Sequence, residues 1–191
     1  MLHTKYGLPH VVITSVSLPL DGIGAPPGGS GVAATSRTMS VVGSTRTSTG
    51  QTRLFGISFP VFDCYFSGTG DMFAALMVVR MREAVHHAGE DLQRTPSWLS
   101  GDDVDTCDLP LAKAAEKVLA SMHEVLSQTC TSMKTGMQRD VAELETQTDL
   151  AEEEKQKKLH LIRSRNAELR LVRNLGCLRS PNVEYRAFKL E

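Results

Sequence analysis

The sequence lacks most of the features that would type a protein directly. No Cys-x-x-Cys pair occurs. Cys64, Cys107, Cys130 and Cys177 stand singly and far apart, which excludes a zinc knuckle or a thioredoxin-type motif. The opening residues, MLHTKYGLPH, have no apolar stretch and no small-residue cleavage site. No secretory leader is therefore readable, and free thiols are the expected state of all four cysteines. Neither sign of charge dominates: 21 Lys and Arg stand against 22 Asp and Glu, a net charge of -1. A chain so balanced has no global electrostatic footprint for nucleic acid or for an anionic membrane. The longest strongly apolar run is Met72–Val79, far short of the ~20 residues that span a bilayer. His86 and His87 are adjacent, with no acidic or cysteine ligand at metal spacing; they read as the solvated end of a helix. No internal repeat is visible. What remains is 191 residues, 41% apolar and 23% charged, enough for a packed core in a single domain. The expectation is a soluble protein of the cytoplasm, open to the nucleus.

Along the chain, strand signals come first. HVVIT at His10–Thr14 is a β-branched run bounded by Pro9 and Ser15, and its continuous apolar character predicts a buried parallel strand. Asp21–Gly31 is rich in Gly and Pro and predicts a loop. Met39–Ser44 and Thr52–Ser58 are strand candidates separated by Ser, Thr and Gly, so residues 21–53 together read as an irregular hairpin and loop insert. Val61–Phe66 (VFDCYF) is a third apolar run. It is followed by a helix, MFAALMVVRMREAVHHA, apolar nearly all round until Arg80; such a helix is expected to be packed on two sides. Gly89 is placed to close it.

Glu90–Asp108 predicts an acidic loop. Asp108 would cap the next helix, with Pro110 in its first turn. In that helix Leu111, Ala115, Val118, Leu119, Met122, Val125 and Leu126 recur at three-to-four spacing, which marks an amphipathic helix with one face inward. Residues 136–158 form a polar insert, densest in charge at Gln138–Lys158, read as a solvated or partly disordered helix. ELRLVRN at Glu168–Asn174 recovers apolar alternation, and Val183–Phe188 alternates like an edge strand. Strands followed by helices predict an α/β fold.

The sharpest transition is SGTGD at Ser67–Asp71, where a predicted strand turns into a helix. Gly68 and Gly70 would let the backbone approach a ligand closely. The first N–H groups of a helix have no internal partner, and the helix dipole adds positive character. Together these suit a phosphoryl anion. No G-K-[ST] follows, so this is not a Walker A loop. Asp71 is out of place in an anion site unless it serves the other reactant. A general base drawing the proton from an attacking alcohol would sit there, while the Gly68–Gly70 amides hold the charge developing on a γ-phosphoryl group. From the tetrad alone, Asp71 could equally do no more than complement the helix dipole.

The wider pattern narrows this. SGTGDMFAALM at Ser67–Met77, after VFDCYF and with HVVITSVSLP upstream, resembles the C-terminal half of a pyridoxal kinase, a family within the ribokinase-like sugar and vitamin kinases. Leu111–Thr129 is similar to the family's next helix, and Glu168–Ala187 to its ending. The resemblance implies a three-layer α/β fold with a mostly parallel central sheet. It implies ATP-dependent phosphorylation of the 5′-hydroxyl of pyridoxal, pyridoxine or pyridoxamine, with Mg2+ on ATP, a monovalent cation (K+ or Na+) and a homodimer. In those terms Asp71 matches the catalytic base, and Gly68, Thr69 and Gly70 match the anion hole. Thr14 and Ser15 match residues that contact ATP, with Thr14 helping to hold the monovalent cation. Their plain alternative is a hydroxyl pair that ends a strand. Phe62, Phe66 and Ser67 match the adenine and ribose side, where a bland core strand would also be apolar.

The Gly- and Pro-rich residues 21–37 and the acidic Gln138–Lys158 stretch depart from the family pattern, the second as an insertion of the kind seen in fungal members. The family's first α/β half has no counterpart here, so residues 1–191 are expected to be the C-terminal part of such a kinase domain, with little activity alone. Two other readings stay open. One is a ribokinase-like kinase acting on a hydroxymethylpyrimidine or a sugar, and the other is a non-catalytic nucleotide-binding fragment.

Overall fold

The computed structural model describes residues 1–17, 37–146 and 151–190. The Asp21–Gly31 loop and most of the 21–37 departure lie outside the described residues. The chain divides into two compact units: Met1–Val61 with Ala74–Ala120 and Val183–Glu191, and Phe62–Phe73 with Ser121–Asn182.

The first unit is built on an antiparallel sheet. A short helix, α1 (Leu2–Tyr6), ends at Gly7 and leads into β1 (His10–Val16). β2 (Thr38–Arg46) and β3 (Thr52–Pro60) follow, and β4 (Phe188–Lys189) closes the order β1-β2-β3-β4. The expected mostly parallel sheet is thus corrected: every strand pair among the described residues is antiparallel. For β2 and β3 the reason is local. Only five residues separate β2 from β3, and a connection so short can return the chain only antiparallel, since parallel strands need a long crossover. The turn is closed by Thr47 N–H donating to the Gln51 carbonyl (2.8 Å), with Gly50 at φ 83. This hairpin was expected to be irregular, yet it pairs nine residues in unbroken register, from Thr38 with Pro60 to Arg46 with Thr52.

β1 also differs from expectation. It lies at the sheet edge, and Ile13, Thr14 and Ser15 are exposed. An apolar run marks a buried strand only if both of its faces are covered, and here the second face is open. Of the predicted Val183–Phe188 strand only Phe188 is in a strand, the two-residue β4, whose residues pair with Phe55 and Gly56. The core of this unit collects Val41, Phe55, Ile57, Val85, Leu109, Ala112, Ala115 and Val118. Arg53 is buried as well. Its guanidinium donates to the carbonyls of Gly101 (2.8 Å), Ser100 (3.2 Å), Val104 (3.3 Å) and Arg46 (3.4 Å), and so anchors the loop that follows the helices.

The first long helix, α2, spans Thr69–His87. His86 and His87 are its exposed end, as expected. Packing on two sides is not observed: Val78 is 73% and Val79 54% exposed, while Arg80 is buried and paired with Glu83 at 2.7 Å. The acidic stretch after it contains α3 (Glu90–Arg94) and two single turns, Pro96–Trp98 and Thr106–Asp108. It is Asp105 that caps the turn Thr106–Asp108, its side chain accepting from the Cys107 N–H at 2.8 Å. Asp108 instead pairs with Lys113 at 2.9 Å.

The helix predicted over Leu111–Thr129 is α4, Pro110–Glu145. Five of its seven predicted inward positions are buried, and Met122 and Leu126 are half-buried. α4 therefore runs into the expected polar insert, which is helical on both sides of residues 147–150: α5 spans Glu152–Asn166. In the second unit α6 (Leu175–Arg179) is held to α4, with Ser121 Oγ donating to the Cys177 carbonyl at 3.0 Å. The Asn182 N–H donates to Glu124 at 2.7 Å. At the end of α5, Asn166 Nδ2 donates to Asp140 (3.1 Å) and to the Ile162 carbonyl (2.9 Å). The Asn166 bond and the neighbouring Arg139 together hold the Asp140 carboxyl below the ordinary carboxylate range. Glu168–Asn174 is no strand; its end is a single 3-10 turn, Leu171–Asn174.

Candidate anion-binding turn

Phe62–Asp71 lies in the second unit as one continuous segment. Its first part is not the strand that VFDCYF predicts, because residues 62–66 carry neither helix nor strand. Asp63 and Tyr65 are exposed, whereas Phe62, Cys64 and Phe66 are half-buried, which is the alternation that the apolar composition imitates. Phe62 and Phe66 meet edge to face with ring centroids 6.4 Å apart. Phe62 also lies against the His123 ring of α4 at 4.9 Å. Cys64 and Cys130 are joined in a disulfide, which corrects the expectation of four free thiols; Cys107 and Cys177 are free. The sequence carries no spacing signal for this bond, since its partners are 66 residues apart.

The strand character that precedes the turn is reduced to one residue. Ser67 forms an isolated parallel bridge with Glu168, its N–H donating to the Ala167 carbonyl at 3.4 Å. Gly68 then takes φ 84, a left-handed conformation that costs a residue with a side chain energy and glycine almost none. This reverses the chain into α2, whose first residue is Thr69. Met72 N–H is the first to find an acceptor one turn back, the Gly68 carbonyl at 3.1 Å. The N–H groups of Thr69, Gly70 and Asp71 therefore precede any acceptor within the helix. Nothing lies within 4 Å of where a Cβ would stand on Gly68 or Gly70. At these two glycines the backbone is uncovered by described residues, and a ligand can approach it closely.

Asp71 stands third in the helix and is exposed. At that position a carboxylate complements the dipole of a free helix end. It is equally placed to accept a proton from a hydroxyl brought to the turn. Thr14 and Ser15 belong to the first unit. There they sit exposed on β1, at the irregularity between Ile13 and Val16, with Ser15 at φ 59.

No group of three His, Cys, Asp or Glu side chains converges on a metal position among the described residues. The described residues therefore build no carboxylate cage for Mg2+, and Thr14 brings a single hydroxyl on an exposed strand to any cation shell.

No protein-family model and no curated protein matches the sequence, but solved structures do. Pyridoxal kinase from Leishmania donovani in complex with ADP superposes with a TM-score of 0.56 at 20% identity, covering 99% of this chain and 42% of that chain. The same enzyme with ADP and pyridoxamine gives 0.54, and with ADP and pyridoxine 0.53, both at 20% identity, 99% of this chain and 41% of that chain. The chain shares the fold of pyridoxal kinases. It spans about two fifths of the length of those enzymes, and at this identity the likeness concerns the fold alone. No helix among the described residues is long and apolar enough to cross a membrane.

Proposed function

We propose that the chain carries the phosphoryl-binding turn and the general base of an ATP-dependent kinase. The acceptor would be the 5′-hydroxyl of pyridoxal, pyridoxine or pyridoxamine. The observation that carries this is the geometry at Ser67–Asp71: a left-handed Gly68, three N–H groups free of helical acceptors, and an exposed carboxylate in the first turn of a 19-residue helix. The fold supports it, since the structures it matches are kinases described with ADP and with pyridoxal-type ligands. In this reading the amides of Thr69 and Gly70 and the dipole of α2 attract the transferred phosphoryl group. Asp71 takes the hydroxyl proton as the oxygen attacks. Phe62 and Phe66 give an apolar flank, and Mg2+ arrives on the phosphates of ATP rather than in a protein cage. Thr14 and Ser15 are assigned to nucleotide contact on the resemblance alone, as is a homodimer.

A second reading, a nucleotide-binding unit without turnover of its own, is favoured by the exposure of Gly68, Gly70 and Asp71. Phosphoryl transfer in open water forfeits much of the electrostatic and positional advantage. ADP titration by calorimetry and a pyridoxal phosphorylation assay separate the readings. Binding is expected in both. In any preparation that turns over ATP and pyridoxal, Asp71→Asn is expected to lower kcat by about 10²-fold or more while leaving ADP affinity within about twofold. Absence of ADP binding overturns both readings, and unchanged kcat in Asp71→Asn overturns the base.

A further inference from the structure

The bond between Cys64 and Cys130 plays no part in the chemistry proposed above, yet it sits on the segment that delivers the turn. Residues 62–66 have no helix or strand to hold them. Phe62 is held at one end by its contact with His123, and Ser67 at the other by Ala167. Between them the chain is tied covalently by Cys64 to Cys130, an 8% exposed residue within α4. Asp63 and Tyr65 on either side of Cys64 face solvent. The disulfide is the one covalent anchor of this segment beside a ring contact and a hydrogen bond, and ordering a loop before its ligand arrives removes part of the entropy cost of binding.

We propose that Cys64–Cys130 is a thiol–disulfide switch that sets the order of residues 62–70 and, through it, the affinity of the Gly68–Asp71 turn for a nucleotide phosphate. The regulatory half of this rests on the nucleotide reading of the turn. The reductant is a small dithiol. Its thiolate attacks the half-buried Cys64 sulfur, the S–S bond breaks, and Cys130 leaves as a thiolate that takes up a proton. The second thiol of the reductant then displaces Cys64 from the mixed disulfide. Two electrons and two protons pass to the protein, and the dithiol ends as its own cyclic disulfide. The oxidised dithiol runs the same exchange backwards. The other two cysteines compete poorly as nucleophiles. Burial and the neighbouring Asp105 push the Cys107 thiol up, and a bond to Glu124, together with burial, pushes up that of Cys177.

The test uses the whole chain in three forms: air-oxidised, reduced with dithiothreitol, and Cys130→Ser. A thiol reagent added after unfolding in denaturant should count two free cysteines in the first form and four in the second. Amide exchange over residues 62–70, without ligand, should be about tenfold faster in the reduced and Cys130→Ser forms. ADP should bind about tenfold more weakly to both. Four free thiols before reduction, or equal exchange in all three forms, overturns the switch. Faster exchange with equal ADP affinity overturns its control of the turn. Faster exchange with no ADP binding in any form overturns the nucleotide reading instead, and leaves the redox-controlled order of the segment standing.

Discussion

The ring of Phe55 on β3 covers Gly43 on β2 so closely that a Cβ at position 43 would overlap it. The two are register partners at the centre of the hairpin, and Phe55 is fully buried. Glycine is normally a weak point in a strand, but here its missing side chain is the space that the ring occupies. Gly43→Ala is expected to destabilise the fold by about 1–3 kcal/mol through overpacking, and Gly43→Val by more. Urea unfolding of Gly43→Ala, Phe55→Leu and the double variant checks the cause. The double variant should lose less than the sum of the singles, because each change relieves the other. Strict additivity would show that the ring and the glycine do not interact.

A pH prediction comes from the edge of the same sheet. His10 accepts at Nδ1 from the Thr45 hydroxyl (3.0 Å) and donates from Nε2 to the Ser97 carbonyl (2.8 Å), an arrangement that suits the neutral ring. Ser97 and Trp98 are both in the left-handed region, so His10 holds a strained turn in place. Burial lowers the His10 pKa below its ordinary 6.5; the bond to Ser97 works in the other direction, and His3, Arg53 and Arg46 add to the lowering. Folded His10 therefore binds a proton less readily than unfolded His10. Its contribution to stability is full above the ordinary value and is lost as the pH falls below it, towards the lowered folded pKa. Melting temperatures at pH 7.5, 6.5 and 5.5 should fall more steeply for the parent than for His10→Gln. Parallel curves would remove His10 from the account.

How much of this was legible in the sequence depended on whether the signal was local. The inward face of α4 could be read because helical periodicity is written in neighbouring residues, and Ala115, Val118 and Val125 are buried as it predicts. The two hairpin strands were legible from their local composition, though β2 runs past both predicted ends and β3 past one. Strand direction was not. HVVIT reads alike as a buried parallel strand and as an edge strand with Ile13 in water, because the difference lies in what covers it. VFDCYF misled for a related reason: two aromatic rings and a disulfide bury alternate residues with no ladder at all. At the candidate site, the chain reversal at Gly68–Gly70 was legible because clustered glycines between two apolar runs mark a turn. His123, Ala167 and Cys130, which hold the approach to it, come from distant parts of the chain and carried no signal.

The two glycines of the turn should separate its architecture from its chemistry. Gly68 needs its left-handed φ of 84, so Gly68→Ala strains the backbone, at a cost of about 1 kcal/mol or more. It should lower stability and ADP affinity together. Gly70 has no such conformation to defend. It lies in the first turn of α2, with open space where a Cβ would stand. Gly70→Ala should leave the melting temperature unchanged or slightly raised, because alanine favours a helix over glycine by up to about 1 kcal/mol. If the turn holds a phosphate against its backbone, however, the added methyl group occupies the space into which that phosphate comes. ADP affinity should then fall about tenfold or more, a loss of about 1.4 kcal/mol in binding. Calorimetric titration with ADP beside a thermal melt reads both quantities on one preparation. A Gly70→Ala chain that folds as well as its parent and binds ADP equally well would show that the nucleotide phosphates do not approach this turn.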